Sequence, residues 1–141
     1  RTSTIVSRIT NNIVPNDIKK LLKDRTTRKG WIRKLDRLVS EIVCKRDSRC
    51  VTCYTFISPT RGHLFSRKNY STRWDLINCH RQCLSCNFKH ELDPYPYMEW
   101  FRKNYGQTAL NRLHRKYMQI THFKDYDLED LYKKLKKNVN P

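Results

Sequence analysis

The chain has 141 residues, enough for one compact domain with a modest core. Only 38% of the residues are hydrophobic, so we expect a thin core that needs a stabilising cross-link such as a metal site or disulfides. No apolar run approaches the roughly 18 residues of a membrane span, so we expect no transmembrane helix. Thirty Lys and Arg against 13 Asp and Glu give a net charge of +17, which favours nucleic acid as the partner over an acidic protein or an anionic lipid surface.

Residues 1–30 are predicted to form a basic N-terminal arm and a short helix, and residues 31–141 a single domain without internal repeats. Residues 15–17, Pro-Asn-Asp, are typical of a helix start, and the basic segment Ile18–Lys23 continues it. Gly30 is expected to end this helix.

A core helix is predicted directly after Gly30, because apolar residues recur there at helical spacing while Arg and Lys occupy the opposite face, which could contact phosphates. The apolar positions are Trp31, Ile32, Leu35, Leu38, Val39, Ile42 and Val43.

The middle of the chain favours short strands. The stretch "CVTCYTFISPTRGH" has the β-branched and aromatic content of two strands around a turn, with Ser58-Pro59 and Gly62 as breakers. A polar loop should cover Leu64–Tyr70, and "RWDLIN" is apolar enough for a further strand. "CNFKHE" should open a helix that ends at Asp93-Pro94.

Three helices are predicted for the remainder. Pro96 suits the first turn of one helix, and Gly106 its end. Thr108 is predicted to cap the next helix, and Asp127 the last. The residues expected to face the core are Tyr97, Trp100, Phe101, Tyr105, Leu110, Leu113, Tyr117, Leu128, Leu131, Tyr132 and Leu135.

Four of the six cysteines form two matched pairs, Cys50-x-x-Cys53 and Cys83-x-x-Cys86, with 29 residues between them. Two such pairs can bring four thiolates together around one structural zinc ion, and paired disulfides are the alternative. Zinc thiolates suit a reducing compartment, so we expect an intracellular protein. The other two cysteines, Cys44 and Cys79, lack a partner at this spacing and are expected to be buried thiols.

The residues between and after the two pairs suggest a β-β-α unit pinned by zinc. In such a unit, His63 at the end of the first strand faces the start of the helix across a groove. Phosphodiester hydrolysis needs this pairing, because a general base must activate water while a divalent metal stabilises charge on the phosphate.

The order His63, Asn78, Asn87 resembles the HNH, or ββα-metal, nuclease motif. "CVTC…GHLFSR…INCHRQCLSCN", followed by "YMEWFRKNYGQTALNRL" and "DLEDLYKKLKK", resembles the phage NinG (Rap) recombination family, from about Lys34 to Lys137. The resemblance implies an α+β fold with a zinc-stapled, HNH-like unit embedded among α-helices. It also implies an endonuclease in the cytoplasm of an infected bacterium, nicking branched DNA such as Holliday junctions, D-loops and forks.

Carried over from the motif, His63 is the general base, with a hydrogen-bonded structural histidine as the alternative, and Asn87 binds the catalytic Mg²⁺ or Mn²⁺. Helix capping is the competing role for Asn87. Asn78 takes the position that ties the loop together and orients the base.

The chain departs from many HNH enzymes directly before the base, where Gly62 stands in place of an Asp or His ligand. Either Asn87 is the only protein ligand, which we prefer, or His80 joins the metal shell. His80 could instead bind a phosphate or support the fold. His90, one helical turn beyond Asn87, could approach the groove, but we expect an exposed helix histidine.

Four basic residues flank the base. Arg67 is assigned to the transition-state phosphate, and Arg61, Lys68 and Arg73 to the DNA backbone, with ordinary solvated charge as the alternative for each. The competing functions are a non-catalytic, zinc-stapled nucleic-acid-binding module and an adaptor for an acidic protein. The oligomeric state stays open, and a homodimer is one alternative.

Overall fold

The computed structural model describes residues 15–20 and 27–139. Residues 16–20 are helical, as the Pro-Asn-Asp start predicts, whereas the predicted arm and the continuation to Lys23 lie outside the described residues. Residues 27–139 form six helices and a two-stranded antiparallel sheet, an α+β arrangement. None of the described helices is long and apolar enough to cross a membrane. In chain order the elements are α1 (Arg28–Arg46), β1 (Pro59–His63), α2 (Tyr70–Arg73), β2 (Cys79–Cys83), α3 (Leu84–His90), α4 (Tyr95–Tyr105), α5 (Gln107–Tyr117) and α6 (Asp125–Val139).

Helix α1 is the predicted core helix, but it begins before Gly30. The side-chain oxygen of Thr27 accepts a hydrogen bond from the backbone N–H of Gly30 (3.0 Å) and caps the helix, so Gly30 lies inside the first turn instead of ending a helix. The apolar stripe of α1 packs against α6 and one face of the sheet. The buried residues of this first core are Leu35, Leu38, Val39, Val43, Trp74, Cys79, Leu128 and Leu135.

The strands differ from the prediction. The stretch from Cys50 to His63 contains one strand instead of two, because the first cysteine pair forms a turn. This strand begins at Pro59, which a strand start tolerates, and includes Gly62. Gly62 is needed there because a Cβ atom would lie 2.1 Å from the side-chain oxygen of Gln82 on β2.

The predicted strand "RWDLIN" is also wrong. Residues 74–78 form consecutive turns, in which the N–H of Asp75 bonds to Thr72 and the N–H of Asn78 bonds to Asp75. These turns let Trp74 and Leu76 reach the first core without extended backbone. Strand β2 begins only after Asn78.

The sheet separates two small cores. The register pairs Gly62 with His80 and His63 with Cys79. Because side chains alternate between the faces of a strand, His63 lies on the α1 face and His80 on the α4 face. The second core, on the α4 side, consists of Val51, Leu64, Tyr97, Phe101, Leu110 and Leu113.

The C-terminal helices form as predicted, but two caps were misassigned. Pro96 lies in the first turn of α4, and Gly106, with φ of 91°, ends it. The same glycine also precedes α5 directly, so Thr108 lies inside that helix. Asp127 lies in the first turn of α6, where its carboxylate accepts from the N–H of Lys124 (2.8 Å).

Candidate active site and cysteine cluster

The four paired cysteines converge at one end of the sheet. The sulfur atoms of Cys50, Cys53, Cys83 and Cys86 all lie within 4.8 Å of one another. In each pair, the N–H of the second cysteine points at the sulfur of the first, at 3.5 Å and 3.4 Å. Cys53 and Cys83 have their sulfur atoms 3.8 Å apart, too far for a bond of about 2.05 Å. The cluster could therefore hold a structural metal such as zinc.

The thiol pKa values fit a cluster that needs a cation. Burial alone would raise the pKa of Cys50, but backbone N–H groups, that of Cys53 first, lower it to about 7. Burial and the sulfur of Cys83 raise the pKa of Cys86. Because thiolates this close repel one another, only a bound cation would allow all four to be deprotonated together.

The two remaining cysteines lie outside the cluster, and the prediction of a buried thiol is confirmed for Cys79 only. Cys79 is fully buried, and burial raises its pKa to about 12. Cys44 is half-buried, with a pKa that burial also raises. Thiols of this kind are poor nucleophiles.

A cavity of about 460 Å³ opens between β1, the loop after it and α3, with α1 behind. Five of the residues singled out in the sequence line it: Arg61, His63, Arg67, Asn87 and His90. The fold thus brings together the candidate base, the candidate metal ligand and the candidate phosphate contact, although His63 and Asn87 are 24 positions apart.

His63 is held in one tautomer. Its Nε2 lies 2.9 Å from the carbonyl oxygen of Arg73, and because a carbonyl can only accept, Nε2 carries the proton. Nδ1 therefore keeps its lone pair. Burial, and secondarily the charge of Arg61, lowers the pKa of His63 to about 4, so the ring is neutral at pH 7 and able to accept a proton.

Asn87 is not the cap of its helix. The cap of α3 is Cys83, whose sulfur accepts from the N–H of Cys86, which removes the competing role for Asn87. The side-chain NH₂ of Asn87 instead donates to the hydroxyl of Thr60 (3.0 Å) on β1. Its carbonyl oxygen makes no hydrogen bond to any described residue, so it can bind a hard cation.

Asn78 is fully buried and holds the loop that follows His63. Its side-chain oxygen accepts from the N–H of Phe65 (2.8 Å), and its NH₂ donates to the carbonyls of Phe65 (3.0 Å) and Thr72 (3.1 Å). These bonds fix the backbone on both sides of the site, including the turn that presents the Arg73 carbonyl to His63.

Asp36 of α1 is a residue that sequence reasoning missed. Its carboxylate binds the Arg73 guanidinium through two hydrogen bonds (2.7 and 3.1 Å) and accepts from the indole N–H of Trp74 (2.8 Å). Burial would raise its pKa, but the bonds from Arg73 and Trp74 outweigh it and lower the pKa. The available signal was an acidic residue next to the apolar stripe of a strongly basic helix.

Two of the predicted DNA contacts are engaged inside the protein. Arg61 lies 3.3 Å from the Asp36 carboxylate and donates to the Asp36 carbonyl, and Arg73 binds the same carboxylate, with side chains only 7% and 16% exposed. Their assignment to the DNA backbone does not fit this placement, because both side chains are mostly buried and are held by one shared carboxylate. Arg67 and Lys68 are exposed, as phosphate contacts require.

His80 does not reach the cavity. It is fully buried on the other face of the sheet, where Nδ1 lies 2.8 Å from the Tyr97 hydroxyl and Nε2 3.0 Å from the Tyr105 hydroxyl. With both nitrogens bonded, His80 has no lone pair for a metal, so the proposed shell of Asn87 plus His80 is corrected. The alternative role, support of the fold, fits these contacts.

His90 is not the exposed histidine that was expected. Its ring lines the cavity, and its Nε2 donates to the carbonyl of Leu64 (2.9 Å). Glu91 also lines the cavity and was not singled out. Positions three and four after Asn87 lie on the same helix face, which allowed His90 at the groove and could also have indicated Glu91.

One comparison with known proteins, that with family models, agrees with the sequence resemblance. No curated protein and no solved structure matches the chain. Residues 11–140 match the family model described as bacteriophage Lambda NinG protein. Since this match covers nearly the whole chain, together with the cysteine cluster and the cavity beside it, the chain belongs to the NinG family.

Proposed function

We propose that the chain is a metal-dependent DNA endonuclease that nicks branched DNA, with His63 as the general base. The NinG family is related to phage recombination, in which branched DNA is the characteristic intermediate. The observation that carries the proposal is the cavity that joins a neutral His63, the free carbonyl oxygen of Asn87 and the exposed Arg67.

The order of elements supports an HNH-like unit. Strands β1 and β2 pair antiparallel, α3 follows β2 without a gap, and α3 packs against both strands. The cysteine cluster joins the turn before β1 to the junction of β2 and α3. A structural zinc ion there would hold the base and the helix in register.

The donor set at the cavity fits one hard divalent cation. The Asn87 carbonyl oxygen would hold this cation, whereas Gly62 offers no side chain and His80 lies on the other face of the sheet. Magnesium or manganese typically completes such a shell with waters and substrate phosphate. The metal would stabilise negative charge on the phosphate and on the leaving oxygen.

The residues of the chain divide the remaining work. His63 accepts the proton of the attacking water at Nδ1, since Nε2–H is held by the Arg73 carbonyl. Asn78 keeps that carbonyl and the loop in place. Arg67 contacts the phosphate whose charge grows in the transition state.

One observation favours the alternative of a non-catalytic binding module. A pKa of about 4 makes His63 a weak base, because general bases work best near the operating pH. A bound DNA phosphate in the cavity would raise this pKa, since a nearby negative charge stabilises imidazolium. The two candidates therefore differ in a direct measurement of cleavage.

The deciding experiment is a nicking assay on linear, forked and four-way DNA, with and without Mg²⁺ or Mn²⁺. The endonuclease proposal expects metal-dependent nicks, with branched substrates cut faster than linear duplex. Tight, salt-sensitive binding without nicks on any substrate would establish the binding module. Weak DNA affinity even at low salt would instead favour the adaptor for an acidic protein.

The structural metal is tested separately. We expect one zinc per chain, measured by elemental analysis of folded protein, and Cys83→Ser should lose both the zinc and the fold. Cys44→Ser, which alters a cysteine outside the cluster, serves as the control and should keep both. Folded parent protein without zinc would contradict this part of the proposal.

A further inference from the structure

An exposed apolar surface lies beside the cysteine cluster. We call it the knuckle patch, and its members are between 58% and 74% exposed, although each is large and hydrophobic: Tyr54, Phe56, Ile57, Leu84 and Phe88. Isolated exposed apolar residues are common, but a contiguous patch marks a binding surface.

A backbone hydrogen bond brings the two segments of the patch together. The N–H of Leu84 donates to the carbonyl of Ser58 (3.0 Å), which places the loop before β1 against the start of α3. Leu84 and Phe88 are four residues apart and share one face of that helix. Helix α3 has no buried residue, so this face is not part of either core.

The backbone of the loop is held in an unfavourable conformation. Tyr54 has φ of 65° and Ser58 has φ of 49°, in the left-handed region that glycine occupies at least cost. Hydrogen bonds from Tyr54 N–H to the Cys50 carbonyl and from Cys50 N–H to the Thr55 carbonyl (both 2.9 Å) keep the loop there. Because Tyr54 is mostly exposed, packing does not explain an aromatic residue at this position.

The charges around the patch select its partner. The guanidinium of Arg49 lies 4.6 Å from the ring centre of Phe56, and Lys89 follows Phe88. Residues 47–91 contain seven Lys and Arg against three acidic residues, Asp47, Asp75 and Glu91, so the surface is net positive. A second copy of the chain would bring like charges together at this surface, whereas unpaired nucleotides offer bases to the rings and phosphates to the cations.

We propose that the knuckle patch binds unpaired DNA bases, which stack on Phe56 and Phe88 while Arg49 and Lys89 contact the flanking phosphates. The role of this binding in cleavage rests on the proposed function. Asn87 directs its side chain to Thr60 and the cavity, and the next residue, Phe88, belongs to the patch. Bases unpaired at a branch point would thus be bound within one helix diameter of the cavity.

The experiment measures fluorescence anisotropy of a single-stranded oligothymidylate of roughly 20 nucleotides and of a blunt duplex, without divalent metal. Phe88→Ala is expected to weaken binding of the single strand about tenfold and to leave duplex binding within about twofold, because duplex bases are already stacked. Phe88→Tyr should bind like the parent, whereas Phe88→Leu should resemble Phe88→Ala, since leucine is apolar but has no aromatic face.

Tyr126→Ala is the matched control, because Tyr126 is an equally exposed aromatic residue on α6 outside the patch, and it should change neither affinity. Zinc content and circular dichroism verify that each variant is folded. Single-strand affinity that is unchanged in Phe88→Ala, or retained in Phe88→Leu, overturns the proposal. A parent dimer that Phe88→Ala dissociates without loss of single-strand affinity assigns the patch to self-association instead.

Because anisotropy requires no cleavage, the two proposals fail separately. Parent protein that nicks no branched substrate, combined with selective loss of single-strand binding in Phe88→Ala, supports the patch and overturns the endonuclease. Active parent protein with unchanged single-strand binding in Phe88→Ala overturns the patch and leaves the endonuclease standing.

Discussion

Two histidines on neighbouring strands occupy opposite faces of the small sheet and have opposite surroundings. His63 is half-buried at an open cavity, with Nε2–H bound to a carbonyl and Nδ1 free to accept. His80 is fully buried, and each of its ring nitrogens is hydrogen-bonded to a tyrosine hydroxyl. Tyr97 donates its hydroxyl proton to Gly62, so it accepts from Nδ1–H of His80, and Nε2 of His80 accepts from Tyr105.

A lowered pKa does not by itself identify a catalytic histidine. Burial lowers the pKa of both rings to about 4, with a contribution from Arg61 at His63 and from Arg46 at His80. What differs is whether a lone pair remains and whether the ring borders an open cavity. Of these two histidines, only His63 meets both conditions.

The largest expected effect is on cleavage by His63→Ala. Strand cleavage of four-way DNA should fall by about 10²–10⁴-fold, because the proton acceptor of the reaction is lost. Zinc content, folding and DNA affinity should stay close to those of the parent. His122→Ala, which alters an exposed histidine before α6, is the control and should cleave normally. Cleavage by folded, zinc-loaded His63→Ala at the parent rate would reject the assignment.

His80→Ala should act on stability instead. It leaves a void in the second core and removes the partners of two tyrosine hydroxyls, so the free energy of unfolding should fall by about 2–4 kcal/mol in urea titrations. The protein that remains folded should still cleave DNA. A variant of parent stability with no activity would show that the roles of His63 and His80 are the reverse of those assigned here.

Acid should destabilise the protein through the buried ring of His80. Its pKa is about 4 in the folded chain and near 6.5 in the unfolded chain, so between these values the unfolded state binds more protons. The contribution of neutral His80 to the free energy of unfolding is therefore complete above about pH 6.5 and is lost as pH falls towards 4. The loss by pH 5 is on the order of 2 kcal/mol.

The measurement is urea unfolding at pH 7 and pH 5 for the parent and for His80→Phe, which cannot titrate at this position. Protonation of His63 and of the cysteine cluster affects both proteins, so the difference between their pH dependences reports His80. Parallel loss of stability in the two proteins would contradict the prediction.

The smallest expected effect is that of Asp36→Asn. The carboxylate holds Arg61 and Arg73 behind the His63 cavity, and its neutralisation should lower the free energy of unfolding by on the order of 1–2 kcal/mol. The released guanidinium groups should strengthen DNA binding and steepen its salt dependence by about one counterion. Asp75→Asn, which breaks a pair with exposed Lys116, is the control and should leave the salt slope unchanged.

Elements with a local signal could be predicted from the amino-acid sequence. The apolar stripe of α1, Pro96 and Gly106 at the ends of α4 and the two cysteine pairs were all readable, because each depends on residues at most a few turns apart. The convergence of the two pairs could also be expected, since four thiolates at this spacing suit one metal.

Which polar groups are hydrogen-bonded or ion-paired within the protein depends on tertiary packing. The strand register sends His80 away from Asn87, and the packing of α1 against the sheet sets Asp36 against Arg61 and Arg73. The predicted strand boundaries were also wrong. Pro59 and Gly62 disfavour a strand locally, but this segment pairs with β2, and the Gln82 side chain packs over Gly62. Such contacts join residues more than 15 positions apart. A local sequence pattern therefore cannot tell whether a charged group or a lone pair is bound within the protein or is accessible to a ligand.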